Sequence, residues 1–216
     1  MTPFVNVLWP TGAFPVVVSA SSGGTSSLTS PVPITKPASL AEGNTLLLAF
    51  YNKSTTHSGG DGFANLFSVY HTGTTDQHLS VWTKTVTASE AASFDFDVHS
   101  PNRAGWWVLQ FEGAVAFEYA TANVDLDPPN LTLAGGSAKA MWLALLGHGA
   151  SDSVLTNPSG YTDQVRGASN SSSADSRSAC AVARRGVEAA SENPGAWAAS
   201  ATAYYPVTAT IGVRST

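Results

Sequence analysis

Gly43-Asn44-Thr45-Leu46-Leu47-Leu48-Ala49-Phe50-Tyr51 is the stretch on which the fold turns. A Gly-Asn turn opens a short run that is apolar on both faces, which reads as a strand central to a sandwich or covered by a second subunit. The second half of the chain answers it with Gly136-Ser137-Ala138-Lys139-Ala140-Met141-Trp142-Leu143-Ala144-Leu145-Leu146. The surroundings also match. The first run leads to the turn Asp61-Gly62-Phe63, then to Leu79 to Lys84 and on to Phe94; the second leads to Ser159-Gly160-Tyr161, then to Cys180 to Arg185 and on to Trp197. The offsets are 98 for Gly62/Gly160, 100 for Lys84/Arg184 and 103 for Phe94/Trp197. A slowly drifting offset is what loop insertions in a duplicated unit produce.

Outward from these two runs, short segments rich in Val, Thr, Phe, Tyr and Trp alternate with Gly, Pro, Asn, Asp and Ser clusters, and helical periodicity is nearly absent. That pattern predicts an all-β, antiparallel β-sandwich built from two sequence-similar halves, about 40–120 and 130–216, forming one domain over 40–216. In Phe94-Asp95-Phe96-Asp97-Val98-His99 the apolar residues fall on one face and the polar ones on the other. Residues 1–39 stand outside the repeat. Ser21 to Ser30 is small and polar, and Pro31, Pro33 and Pro37 disfavour a regular central strand, so this segment is read as an extended N-terminal arm. Its apolar start, Phe4, Val5, Val7, Leu8 and Trp9, is suited to docking on a neighbour.

Of the 216 residues 43% are hydrophobic and only 12% charged, so a real core is covered by a surface of small, weakly polar side chains. A net charge of −5 with thinly spread basic residues argues against a nucleic-acid partner. Neither a signal peptide nor an apolar run of membrane-spanning length is evident, so the chain is expected to be made in the cytoplasm and to have no membrane partner. The single Cys180 sits in Ala179-Cys180-Ala181-Val182 and is read as a small buried apolar residue.

Motifs that carry chemistry are sparse. Asp95, Asp97 and His99 share a strand face, and Asn123, Asp125, Asp127 and Asp61-Gly62 are acidic turn clusters; a solvated strand face and turn chemistry explain them without a metal. His57, His71, His78, His99 and His148 are scattered, with no Gly-x-Ser-x-Gly, Ser-x-x-Lys or His-Glu-x-x-His pattern to tie them to a nucleophile. The expectation is therefore no enzyme, no cofactor and no metal. Trp82 and Trp142 fall within apolar strands and are expected in the core. Trp106 and Trp107 are adjacent and face opposite ways in a strand, so Trp107 is assigned to an interface while its neighbour fills the core.

The elements Leu40-Ala41-Glu42-Gly43-Asn44-Thr45-Leu46-Leu47-Leu48-Ala49, Gly160-Tyr161-Thr162 and Ala183-Arg184 followed by Ala189 to Trp197 give the chain, from about Val32 to its end, a resemblance to phage and prophage virion proteins built on a duplicated jelly-roll-like sandwich. It departs from the commoner pattern at Gly62-Phe63-Ala64, where Gly-Trp-Thr is usual. The resemblance implies a non-enzymatic structural protein of a virion, above all a capsid decoration or cement subunit. Such a subunit would contact identical copies, preferably as a trimer, and the major capsid protein. The competing role is a tail or head-fibre component that binds host glycans.

Overall fold

The computed structural model describes residues 13–26, 29–53, 56–71, 76–90, 93–99, 103–149, 155–169, 178–199 and 204–216. Seventeen strands and no helix are formed among them. In chain order they are β1 (Val17–Thr25), β2 (Val32–Thr35), β3 (Thr45–Asn52), β4 (Thr56–Gly59), β5 (Ala64–His71), β6 (Gln77–Thr85), β7 (Ser93–His99), β8 (Ala104–Phe111) and β9 (Val115–Asn123). The chain continues with β10 (Leu131–Thr132), β11 (Ala138–Gly149), β12 (Leu155–Thr156), β13 (Thr162–Ala168), β14 (Ala179–Ala189), β15 (Ser191–Glu192), β16 (Ala198–Ala199) and β17 (Tyr204–Ser215).

Two five-stranded antiparallel sheets dominate, with orders β1-β8-β3-β6-β5 and β9-β17-β11-β14-β13. The outer face of the first is covered by the sheet β2-β7-β4, and that of the second by the pairs β10-β15 and β12-β16. Read from their own edges, the two large sheets have equivalent orders. The cover also corresponds, except that the place of β7 is taken by two short strands, β15 and β16, separated by Asn193-Pro194-Gly195.

The apolar runs quoted above become β3 and β11, and their two-faced hydrophobicity follows from this layering. Leu47, Ala49 and Tyr51 of β3 meet Leu143 and Leu145 of β11 in a central core between the large sheets. Leu46, Leu48 and Phe50 point the other way, onto Ile34, Phe94 and Phe96 of the first cover. Trp142, Ala144 and Leu146 likewise pack under Leu131, Leu155 and Trp197. Phe94, Phe96 and Val98 are buried while Asp95 and Asp97 are exposed, as their alternation predicts.

Two expectations need correction. Residues 13–39 are not an arm outside the sandwich. β1 pairs along β8 from Val17/Phe111 to Thr25/Ala104, and β2 pairs with β7. The prolines are tolerated because β2 is an edge strand: Pro33 faces out while Val32 and Ile34 are buried, so no ladder bond in a sheet centre is lost. Phe4, Val5, Val7, Leu8 and Trp9 lie outside the described residues. Trp107, expected at an interface, is 0% exposed in the central core, and Trp106 is buried beneath the cover. Both faces of β8 are covered by sheets, so the alternation that parts the two rings sends each into a core rather than one into water.

Candidate functional site

The clearest local constellation occurs once in each half. Asp61-Gly62 and Ser159-Gly160 make tight turns with Gly62 at φ +77° and Gly160 at φ +79°, which present Phe63 and Tyr161 to the outer face of their sheets. On β6, Lys84 lies 5.8 Å from the Phe63 ring centre and 5.2 Å from that of Phe94, and donates to Glu90 Oε2 at 2.6 Å. On β14 the counterpart is Arg185, not Arg184: Arg185 lies beside Gly160 and donates to Glu192 Oε1 at 2.9 Å, whereas Arg184 pairs with Asp163 at 3.1 Å. A single-residue shift in register is invisible where two arginines are adjacent.

The two pairs differ in burial, and that sets their worth. Side-chain exposure is 12% for Lys84 and 6% for Glu90, against 41% for Arg185. Burial pushes the Glu90 carboxyl up, but hydrogen bonds from Lys84 and from the Thr87 N–H and hydroxyl outweigh it and hold the group below its usual range. Replacing Glu90 by Ala strands a buried ammonium and is expected to cost about 3 kcal/mol in urea unfolding. Glu192→Ala is expected to cost roughly 1 kcal/mol or less, because Arg185 is left partly solvated. Equal losses at the two sites would overturn this reading of the pair.

A second constellation was not foreseen from the sequence. β4 folds over the end of β6 and stacks His57 on His78, with ring centres 3.8 Å apart and planes 15° from parallel. His57 Nε2 faces Asn52 Oδ1 and Nδ1 faces Ser80 Oγ, each at 2.6 Å; Trp82 Nε1 donates to the same Ser80 Oγ at 2.7 Å. With Asn52 Oδ1 able only to accept, the single proton of a neutral His57 sits on Nε2, and Nδ1 accepts from the Ser80 hydroxyl. Burial first, and the neighbouring His78 second, drive the His57 pKa well below its ordinary value. Burial lowers that of His78 to about 4. Ser80 is fully buried and its oxygen is held between His57 and Trp82, so this serine–histidine contact offers no hydroxyl to a substrate.

An open cleft of about 400 Å³ lies where the edge of one large sheet meets the other. Val17 and Leu109 lie on one side, Val165 and Val182 on the other, with the Asp163–Arg184 pair at its rim.

The remaining sequence candidates are separated. Asp61 Oδ2 accepts from the Asp95 N–H at 2.6 Å, Asp125 Oδ1 from the Asp127 N–H at 3.0 Å, and Asn123 Nδ2 donates to the Tyr70 carbonyl at 3.1 Å, so these residues organise turns and edges. The His99 side chain lies outside the described residues. Among the described residues no three His, Cys, Asp or Glu side chains gather as metal ligands. Cys180 is buried in the central core, which pushes its thiol pKa well up. Trp82, Trp106, Trp107, Trp142 and Trp197 are all buried; Trp9 is outside the described residues. No protein-family model matches the chain, and comparison with curated proteins and with solved structures finds no match either.

Proposed function

We propose that the chain is a non-enzymatic structural protein of a bacteriophage virion, a capsid decoration or cement subunit made of two duplicated jelly-roll-like halves. The observation that carries the reading is the strand order. In the first half β1, β8, β3 and β6 lie side by side in one sheet and β2, β7 and β4 cover it, an order like that of a jelly roll; in the second, β9, β17, β11 and β14 lie side by side under β10, β15, β16 and β12. The fifth strand joins the sixth at the sheet edge. Virion lattices reward this build. Small, weakly charged side chains pack closely, and a sheet edge covered by a neighbour is no longer open to unwanted pairing. The five described tryptophans are used as core, which favours assembly over a glycan platform.

The experiment is co-sedimentation of the purified chain with undecorated capsids of the phage that encodes it, with and without residues 1–12; this truncation leaves β1 intact. Saturable binding that raises the capsid melting temperature is expected, weakened by the truncation. Failure of the full chain to bind at any concentration overturns the decoration role, and a hit on a glycan array in its place supports the fibre role.

A further inference from the structure

The two large sheets have four edge strands, β1, β5, β13 and β9, and three of them are broken by a register shift. The shifts fall between Val17 and Ser19 in β1, Asn65 and Phe67 in β5, and Thr162 and Val165 in β13. A bulge of this kind spoils an edge as a template for another strand. β9 has none. It runs in unbroken register with β17 from Val115/Ser215 to Asn123/Val207 and contains no proline, lysine or arginine. Its only charge, Glu118, is paired with Arg214 of β17.

The free side of β9 can be assigned residue by residue. Thr216 N–H donates to the Ala114 carbonyl at 3.3 Å, and bonded pairs alternate along an antiparallel ladder. Ala116, Glu118, Ala120 and Ala122 therefore bond to β17, while Val115, Phe117, Tyr119, Thr121 and Asn123 aim their N–H and C=O groups outward. Tyr119, at the centre of the strand, is 43% exposed.

We infer that β9 is a homodimer edge: two copies pair antiparallel through β9 about a two-fold axis at Tyr119, joining two five-stranded sheets into one. The strand is self-complementary in this register. Tyr119 meets Tyr119, Phe117 meets Thr121 and Val115 meets Asn123, pairings of aromatic and β-branched residues that favour sheet formation. Glu118 falls opposite Ala120, so the like charges do not face each other and each keeps its own Arg214. The dyad replaces the trimer expected from the resemblance. It rests on the assembly reading above for its purpose only, because it is tested on purified chain with no capsid present.

Light scattering after size exclusion should give twice the 22.3 kDa chain mass for the wild type. Thr121→Pro removes an outward N–H and no bond to β17, so it should give monomer with an unchanged melting temperature. Ala120→Pro, which removes a bond to β17, should lower that temperature. Tyr119→Cys should cross-link to a dimer on mild oxidation, since paired strands bring its Cα atoms within disulfide reach and Cys180 is buried, whereas Val124→Cys should not. A monomeric wild type, a trimer, or a Thr121→Pro chain that stays dimeric overturns the inference. Capsid binding by a monomeric Thr121→Pro chain would leave the decoration role standing by itself.

Discussion

Gly167→Ala is expected to remove more than ~4 kcal/mol of stability, in the exceptional range for a single substitution, and to leave little folded protein at ordinary temperature. The reason is a corner where the two large sheets touch backbone to backbone. A Cβ on Gly167 of β13 would sit 1.9 Å from the Trp106 carbonyl oxygen of β8 and 2.2 Å from that of Gly23 of β1. Gly24 and Gly105 are as tight from the other side: a Cβ on Gly24 would lie 2.0 Å from the Ala168 oxygen, and one on Gly105 would lie 2.5 Å from the Gly167 oxygen. These neighbours are ladder carbonyls, so relief requires moving a strand in each sheet and not a rotamer. Gly167 is outside the positive-φ region, so the effect is one of space and not of backbone preference. Two controls separate the causes. Gly147→Ala meets the ring of the buried Tyr51 at 2.4 Å, a packed side chain and not a ladder carbonyl, and should cost about 1–3 kcal/mol. Gly43→Ala has open space but φ +83°, and should cost about 1 kcal/mol. Urea midpoints for the three variants are the measurement. A Gly167→Ala chain as stable as wild type would mean that the two sheets do not meet at this corner.

The same corner shows what the sequence conveyed and what it could not. Strands β3 and β11 were legible because a run apolar on both faces has few explanations, and Phe94 to Val98 was legible because its alternation needs only one buried face. β1 reads as a linker, Ser-Ala-Ser-Ser-Gly-Gly-Thr, because the side chains that normally advertise a strand are excluded where another sheet presses on the backbone. The short strands β12 and β15 carry two residues each, below the length at which a pattern exists. In β9 the later alternation of Ala and Thr is a weak strand signal. The cation–glutamate pairs and the stacked histidines are long-range coincidences of register. Nothing local to His57 marks it as the partner of a residue two strands later, and its role emerges only once β4 has been laid across β6.

Acidification from pH 7 to about 4.5 is expected to unfold the protein by way of three histidines, His78 and His148 buried and His57 half-buried. His57 and His78 are stacked under the first cover. His148, fully buried on β11, is lowered to about 4 by burial and by the nearby Arg166. All three have folded-state pKa values below the ordinary value of about 6.5, so the unfolded chain binds more protons than the native one between these limits. Stability is therefore complete above pH ~6.5 and falls as the pH drops toward the folded values near 4. A depression from 6.5 to about 4 corresponds to roughly 3 kcal/mol for each of His78 and His148. The groups that touch the stacked pair offer little relief: His57 contacts Asn52, Ser80 and the edge of Phe50, and His78 meets the edge of Tyr70, none of them a carboxylate. Carboxylates such as Glu90 lose their partners only at lower pH, which separates their contribution from that of the histidines. The measurement is the slope of unfolding free energy against pH near 5.5, which counts protons taken up on unfolding. A slope near three protons is expected for the wild type and near two for His78→Phe, whatever the baseline stability of that variant. A flat profile, or an unchanged slope in the variant, would show that the histidines are solvated and that β4 does not close over them.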